Sequence, residues 1–310
     1  MKKKFNIMLC TLIGVLSACN EYDFDQEQYR NEVGLLSNSS LIYDRQVANV
    51  GQEKDTVYLV ATVSGSQISP NTHHVALLES DSLLKAYNKS NFDIEKEKFA
   101  KLLPDECYDF PNKELDIQAG TSKVMFPIYL KNLERISPDS IYFLDYKIDP
   151  DKTPNYNPDK SHVLLRIYKE NYYATTKTST YYNYTSSTIV IPNPSGSPEV
   201  RRPTNANQVF PIGANSVRMM AGDEDLGDYK TARSRIVSKS IILEIGEQQP
   251  ENPQARELTF LLNAIRTPDG RATYYKEFRL HYKYRLESTA PYREVKAKLR
   301  YEFNPRVDNL

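Results

Sequence analysis

Short apolar-rich runs bounded by turn residues recur along the chain and indicate β-strands; where hydrophobic and polar residues alternate with a period of two, one face of the strand is buried and the other wet. The run 293–303 shows it most clearly, because apolar residues occupy every second position and Lys, Arg or Glu stand between them. Pro268-Asp269-Gly270 predicts a hairpin turn. Other strand candidates are 56–63, 73–78, 115–117, 124–130, 141–148, 163–168, 188–191, 208–212, 216–220, 240–245, 257–262 and 273–278. The pattern predicts an all-β protein.

Residues 81–104 interrupt this pattern and predict a short helical insertion. Asp81 is placed to cap a helix that begins near Leu83, and Asn91 to cap a second helix. Pro104 would end the second helix, because proline cannot continue a helix beyond its first turn.

The strand spacing divides the chain into two domains. Short strands separated by turn residues over 51–170, after a tether and lead-in over 19–50, are typical of a β-sandwich. The strands of 171–310 suit a small barrel or a second sandwich. The polar, Pro-rich stretch 149–160 is a long loop or the start of a linker, and because strands follow it we place the boundary near Glu170.

The N-terminus has the features of an export signal. Three lysines precede an apolar run, 5–16, which is shorter than the roughly 20 residues of a membrane-spanning helix. Leu16-Ser17-Ala18-Cys19 then resembles the lipobox of bacterial lipoproteins. The resemblance implies a signal peptide over 1–18 and lipid on Cys19; the alternative is an ordinary secretory signal. The acidic stretch 20–27 is similar to stretches that mark surface export in Bacteroidetes, and is otherwise a solvated tether. We therefore expect lipid anchoring in the outer membrane, facing the cell exterior.

Composition narrows the possibilities further. The 40 Lys and Arg balance 40 Asp and Glu, so no basic excess points to nucleic acid. Of the three cysteines, Cys10 leaves with the signal and Cys19 takes lipid, so Cys107 has no intrachain partner. We expect it to be a small buried hydrophobe. The 23 tyrosines suit pleated, half-buried surfaces.

The first half carries short motifs that resemble a Bacteroidetes domain of unknown function, which begins many surface lipoproteins and precedes some family-18 glycosidase domains. The resemblance implies an immunoglobulin-like β-sandwich. The second half is similar in length and strand content to the C-terminal domain that often follows, which implies a calycin-like β-barrel. The motifs are Ala86-Tyr87-Asn88, Leu102-Leu103-Pro104, Tyr108, Leu115-Asp116-Ile117-Gln118-Ala119-Gly120 and Tyr142-Phe143-Leu144.

Such lipoproteins commonly accompany Sus-type outer-membrane transporters. The resemblance therefore implies a non-catalytic protein that captures glycan for a transporter. The alternative is a structural or adhesive module that binds protein, such as the transporter itself, and the third possibility is a glycan-processing enzyme. The resemblance does not extend to the glycosidase domain, and it supplies no site residues.

Sugar binding requires aromatic faces that stack on pyranose rings and polar groups that hold the hydroxyls. A Ser/Thr-rich stretch with little apolar support contains the best candidates for exposed stacking. The alternative is that this Tyr-rich connector packs on its own domain. Trp, the strongest platform, is absent. The candidates are Tyr172, Tyr173, Tyr181, Tyr182 and Tyr184.

Metal and cofactor motifs are weak. The acidic run 222–228 lacks the Gly and Glu positions of an EF-hand loop, so a solvated turn is favoured over a calcium site. His73 and His74 would point to opposite faces of a strand and could not share zinc. No phosphate loop or nucleophile elbow occurs, so we expect no cofactor and single out no catalytic residue.

Overall fold

The computed structural model describes residues 29–225, 236, 238–246, 255–266 and 272–304. The signal segment, Cys19 and the acidic stretch 20–27 lie outside these residues. The all-β prediction is confirmed: a two-sheet sandwich precedes a curled sheet that forms a half-barrel. Each half has its own hydrophobic core. Within the described residues, no helix is long and apolar enough to cross a membrane.

The first domain consists of two sheets packed face to face. One sheet has the strand order β1-β3-β8-β6, and the other has the order β2-β10-β9-β4-β7, with β5 added beside β9. Alternate residues of β3 and β8 face the core, as the period of two predicts. The strands are β1 (Val33–Leu35), β2 (Ile42–Asn49), β3 (Asp55–Val63), β4 (His73–Glu79), β5 (Lys101–Leu102), β6 (Tyr108–Asp109), β7 (Glu114–Ile117), β8 (Lys123–Leu130), β9 (Tyr142–Ile148) and β10 (His162–Glu170).

The only long helix of this domain, α1 (Ser82–Phe92), covers the outer face of the second sheet. Phe143 of β9 is buried under it and meets the Tyr87 ring at a centroid distance of 5.0 Å. Asp81 occupies the N-cap position but makes no capping hydrogen bond. Instead the Asp145 carboxylate of β9 accepts from the backbone N–H of Leu84 at 3.0 Å. The helix is therefore fixed to the sheet at its first turn.

The prediction of a second helix after Asn91 is wrong. The chain leaves α1 at Asp93, whose φ is 47°, and forms a short 3-10 turn at Lys96–Lys98. The buried Asn88 side chain then bonds both the N–H and the C=O of Ala100. This holds the following residues extended, so that β5 pairs with β9 instead of coiling. Tertiary contacts outweigh the local helical preference here.

The polar stretch 149–160 is a long loop of the first domain and not a linker. Its backbone bonds β1 on both sides, with Val33 N–H donating to Asn155 O at 2.9 Å and Asn157 N–H donating to Val33 O at 2.8 Å. The chain then re-enters the second sheet as β10, between β9 and β2.

The described strands of the second domain form one curled sheet of nine strands. β19 lies at its centre and pairs with β18 along one edge and with β11 and β12 along the other. The alternation predicted for 293–303 is confirmed, since Val295, Ala297 and Leu299 are buried. Among the described strands, β16 and β17 at the two ends of the sheet do not pair with each other. The strands are β11 (Thr180–Tyr184), β12 (Thr188–Ile191), β13 (Glu199–Arg201), β14 (Ala206–Gly213), β15 (Ser216–Met220), β16 (Ser240–Glu244), β17 (Ala255–Arg266), β18 (Ala272–Tyr284) and β19 (Arg293–Phe303).

A buried amine joins the two domains. Lys169, at the end of β10, is 2% exposed. Its ammonium donates to Leu133 O at 3.2 Å and Ile136 O at 2.9 Å in the first domain, and to Ile212 O at 3.3 Å in the second. All three of its protons are thus used. Burial lowers the pKa of this amine to about 8.

A second ionic contact crosses the same junction. The buried Arg218 guanidinium of β15 binds both carboxylate oxygens of Asp139, with one N–O distance of 2.7 Å. Its other neighbour is the Phe210 ring, 4.5 Å from the guanidinium carbon. Bidentate Arg–carboxylate pairs fix orientation as well as distance. The junction therefore holds the two domains in one relative arrangement.

Candidate functional site

The turn that follows β15 is held by three tyrosines of the second domain. Gly222 has a φ of +57°, and its N–H donates to the Tyr282 hydroxyl at 2.8 Å while its C=O accepts from Tyr184. An added Cβ at this position would lie 2.8 Å from the Tyr284 hydroxyl. Only glycine therefore combines this backbone conformation with this close approach.

The carboxylates of this turn have different surroundings. Glu224 is 9% exposed and accepts from Lys239 at 2.6 Å, from Arg293 at 2.6 Å and from the Tyr284 hydroxyl at 3.2 Å. It is therefore used in holding the turn. Asp223 forms a looser ion pair with Arg201, with an N–O distance of 3.7 Å. Within the described residues its carboxylate accepts no shorter contact, so it retains capacity to accept a hydrogen bond from a ligand.

The turn forms one wall of a cavity of about 450 Å³, which we call the β11–β14 pocket. This volume lies within the usual range of small-molecule sites. Tyr181 of β11 and Gln208 of β14 are cross-strand partners and form another wall. The remaining polar lining includes Arg202, Thr204, Asn205, Asp223 and Asp225. The pocket thus combines the aromatic rings of Tyr181, Tyr184 and Phe210 with amides, a hydroxyl, carboxylates and a guanidinium.

Tyr181 is the ring available for stacking in this pocket. It is 49% exposed, and within the described part of the chain its ring contacts neither another ring nor a cation. Tyr184 also lines the pocket but is half-buried, and its hydroxyl is committed to Gly222 O and to the Asn207 amide at 3.0 Å. Burial raises the pKa of Tyr184 to about 12, so it remains a neutral phenol at physiological pH.

A second cavity of about 360 Å³ lies where the domains meet, and we call it the junction pocket. Tyr172 is 41% exposed there. One face of its ring is taken by Lys276, whose ammonium lies 4.3 Å from the ring centroid. Asn49 and Glu170 line the pocket from the first domain.

Tyr173 and Tyr182 are not available for stacking. Tyr182 is fully buried, packs against the rings of Phe278 and Tyr301, and donates its hydroxyl to Tyr173 O at 2.9 Å. Tyr173 is buried beside it in the same core. For these two tyrosines the packing interpretation is correct. The structure thus places Tyr181 and Tyr184 in one pocket, Tyr172 at the rim of another, and the remaining two in the core.

The two adjacent histidines, His73 and His74, have separate partners. His73 bonds Ser69, whereas His74 bonds Asp116 at 2.7 Å, so the two imidazoles diverge as the strand period requires. Within the described residues, no group of three His, Cys, Asp or Glu is placed to hold a metal. Cys107 is buried, and burial raises the pKa of its thiol. Residues 226–228 of the acidic run lie outside the described residues.

The fold is similar to solved structures from Bacteroides. A multidomain protein including DUF1735 from Bacteroides ovatus has 17% identity and a TM-score of 0.65, with 90% of this chain and 97% of that chain covered. A protein of unknown function from the same species has 16% identity and a TM-score of 0.63, with coverages of 93% and 96%. An auxiliary nutrient binding protein from Bacteroides thetaiotaomicron VPI-5482 has 18% identity and a TM-score of 0.54, with coverages of 86% and 94%. These TM-scores show a shared fold.

Two family models, one for an N-terminal domain and one for a C-terminal domain, match residues 29–155 and 161–300. The chain belongs to the two-domain family that these models describe. The match to the N-terminal domain model agrees with the resemblance indicated by the sequence motifs of the first half. No curated protein matches the chain.

The sequence does not predict several residues of the two pockets as site residues. Asp223 stands out only as part of the acidic run 222–228, and neither Gln208 nor Asn205 lies in a motif. Asn49 and Glu170 are far apart in the sequence yet are paired neighbours on β2 and β10. The parity of β11 could have separated Tyr181 from Tyr182, because adjacent strand residues face opposite sides.

Proposed function

We propose that the protein captures glycan without catalysis, that it is anchored by lipid on Cys19 at the outer surface of the outer membrane, and that it delivers glycan to a Sus-type transporter. The observation that carries the proposal is that the exposed Tyr181 ring and the loosely paired Asp223 carboxylate line the same β11–β14 pocket. A pyranose ring presents an apolar face and a rim of hydroxyls. The tyrosine ring suits the first, and the amides and carboxylates suit the second.

The rigidity of the pocket supports the proposal. Gly222 and Glu224 are fixed by the tyrosines and cations described above, so Asp223 is held in place before any ligand arrives. A binding group that is already positioned loses little entropy on binding. The shared fold with an auxiliary nutrient binding protein of Bacteroides thetaiotaomicron agrees with this interpretation.

Affinity electrophoresis of the mature, unlipidated chain through gels that contain host, dietary or microbial polysaccharides tests the binding. We expect retardation in at least one polysaccharide. Tyr181→Ala should weaken it at least tenfold, which is about 1.4 kcal/mol, because a stacking anchor at the centre of the site is lost. The matched control is Tyr292→Ala, since Tyr292 is also an exposed tyrosine of the second domain but lines neither pocket. Equal losses in both variants would contradict the assignment.

The anchor and the partner require separate tests. Labelled palmitate should enter the full-length chain but not its Cys19→Ala variant, and external protease should cleave the protein on intact cells. Recovery of a transporter in a pull-down, without any polysaccharide binding, would favour the alternative of a protein-binding module. Turnover of a polysaccharide that is lost on changing one carboxylate would favour an enzyme.

A further inference from the structure

We propose that the junction pocket is a second saccharide site, which binds a neutral sugar ring through the Glu170 carboxylate. The inference deepens the proposed function and rests on it, since both pockets would hold parts of the same glycan. The two pockets have no lining residue in common. The junction pocket is therefore a separate site and not an extension of the first.

The position of the pocket follows from the strand pairing of both domains. Asn49 and Glu170 are register partners at the carboxyl ends of the parallel strands β2 and β10. Lys276 and Tyr301 are register partners on β18 and β19, at one end of the half-barrel. Domain junctions and the mouths of barrels are preferred places for ligands, because backbone elements from two sides leave a concave space there.

The Glu170 side chain lines the pocket and is half-buried. Within the described residues, no hydrogen bond reaches its carboxylate. Burial raises the pKa of this carboxyl, the nearby Asp55 raises it further, and Lys177 and Lys276 partly offset the effect. A partly desolvated carboxylate without a donor is unfavourable until a ligand supplies one. Two neighbouring sugar hydroxyls could donate to its two oxygens.

The cation that lines the pocket is already committed. The buried Lys276 ammonium donates to Tyr172 O and lies over the rings of Tyr172 and Phe303. The lining groups that make no hydrogen bond to the described residues include the Glu170 carboxylate, the Asn49 amide nitrogen and the Thr178 hydroxyl. This set disfavours acidic sugars and suits a neutral ring with several hydroxyls. A simple amine would engage the carboxylate but leave the other groups unused.

Carbon-13 NMR of the mature chain with labelled glutamate carboxyls and labelled tyrosine rings tests the inference. Glucose, galactose, mannose, xylose and N-acetylglucosamine are added separately at concentrations that detect millimolar binding, and ethanolamine serves as the amine probe. Glu170→Gln assigns the carboxyl signal, and Tyr181→Ala assigns the ring signal of the first pocket. We expect at least one neutral sugar to shift the Glu170 signal saturably, in the wild type and in Tyr181→Ala alike.

Tyr172→Ala should lower the affinity measured from this saturation several-fold. Glu53→Gln changes an exposed carboxylate outside both pockets and should leave the affinity unchanged. A shift of Tyr181 without any shift of Glu170 would overturn the second site and leave the proposed function standing. A shift of Glu170 alone would support the second site and remove the first. A response of Glu170 to ethanolamine but to no sugar would overturn the saccharide assignment, and silence of both signals would overturn both sites.

Discussion

The buried amine of Lys169 should make the free energy of unfolding of this protein rise with pH between about pH 8 and 10. The change to be tested is Lys169→Met, which keeps a long side chain and removes the charge. In the folded protein burial lowers the pKa of the amine to about 8, whereas an unfolded chain has a lysine pKa of about 10.4. Between these values the unfolded chain binds more protons than the folded one.

The sign follows from proton linkage. Where the unfolded state binds more protons, the free energy of unfolding increases with pH. The difference between a pKa of about 10.4 in the unfolded chain and about 8 in the folded protein corresponds to about 3 kcal/mol over the whole range, and to about 2 kcal/mol between about pH 7 and 9.5. The difference between wild type and Lys169→Met isolates this contribution, because the buried tyrosines titrate equally in both proteins.

Urea unfolding at the two pH values measures the effect. The stability of the wild type relative to Lys169→Met should increase by about 2 kcal/mol as the pH is raised. Lys89→Met, a change of an exposed lysine in the last turn of α1, is the control and should run parallel to the wild type. If Lys169→Met also runs parallel to the wild type, the amine is not buried at the junction.

Three further predictions concern the junction, the turn and the first core. Asp139→Asn should lower the free energy of unfolding by roughly 3 kcal/mol, because the buried Arg218 loses its counter-charge. Adding Arg218→Met should recover part of this loss, as measured by urea unfolding. An Asp139→Asn variant that is as stable as the wild type would contradict this. Gly222→Ala should lower stability by about 1–2 kcal/mol from backbone conformation alone. It should also weaken polysaccharide retardation, because the added methyl group would meet the Tyr284 hydroxyl and displace the turn. Unchanged retardation would show that the turn does not contribute to binding. The Cys107 thiol should react with a disulfide reagent only after unfolding, since it is buried and its pKa is raised, and rapid labelling of the native protein would refute its burial.

The junction and the second pocket depend on each other. Lys169 bonds Ile212 in the second domain, and the neighbouring Asn171 side chain bonds Gly213 O at 2.8 Å and Ser216 O at 3.0 Å. These bonds fix the end of β10, which carries Glu170. Weakening the junction should therefore disturb the junction pocket before it disturbs the β11–β14 pocket, whose walls all belong to the second domain.

The local pattern of hydrophobic and polar residues was sufficient to predict where the strands lie. The alternation along 293–303 predicts β19 and its buried face, because side chains of a strand alternate between two sides wherever it lies. The same period of two predicts that the side chains of His73 and His74, adjacent on β4, point to opposite faces. The first helix is likewise near its predicted start, since the breaks in apolar periodicity are local features.

Only the tertiary structure decided which faces remain open and which distant residues meet. Strand parity separates Tyr181 from Tyr182, but the Phe278 and Tyr301 rings decide that Tyr182 is the buried one. The stretch after Asn91 became extended because β9 offered unpaired backbone groups, which no local pattern records. Asn49 and Glu170 form one wall of a pocket because β2 and β10 are adjacent in the sheet. A residue's own periodicity gives its side of a strand, whereas its exposure and its neighbours depend on what packs against that side.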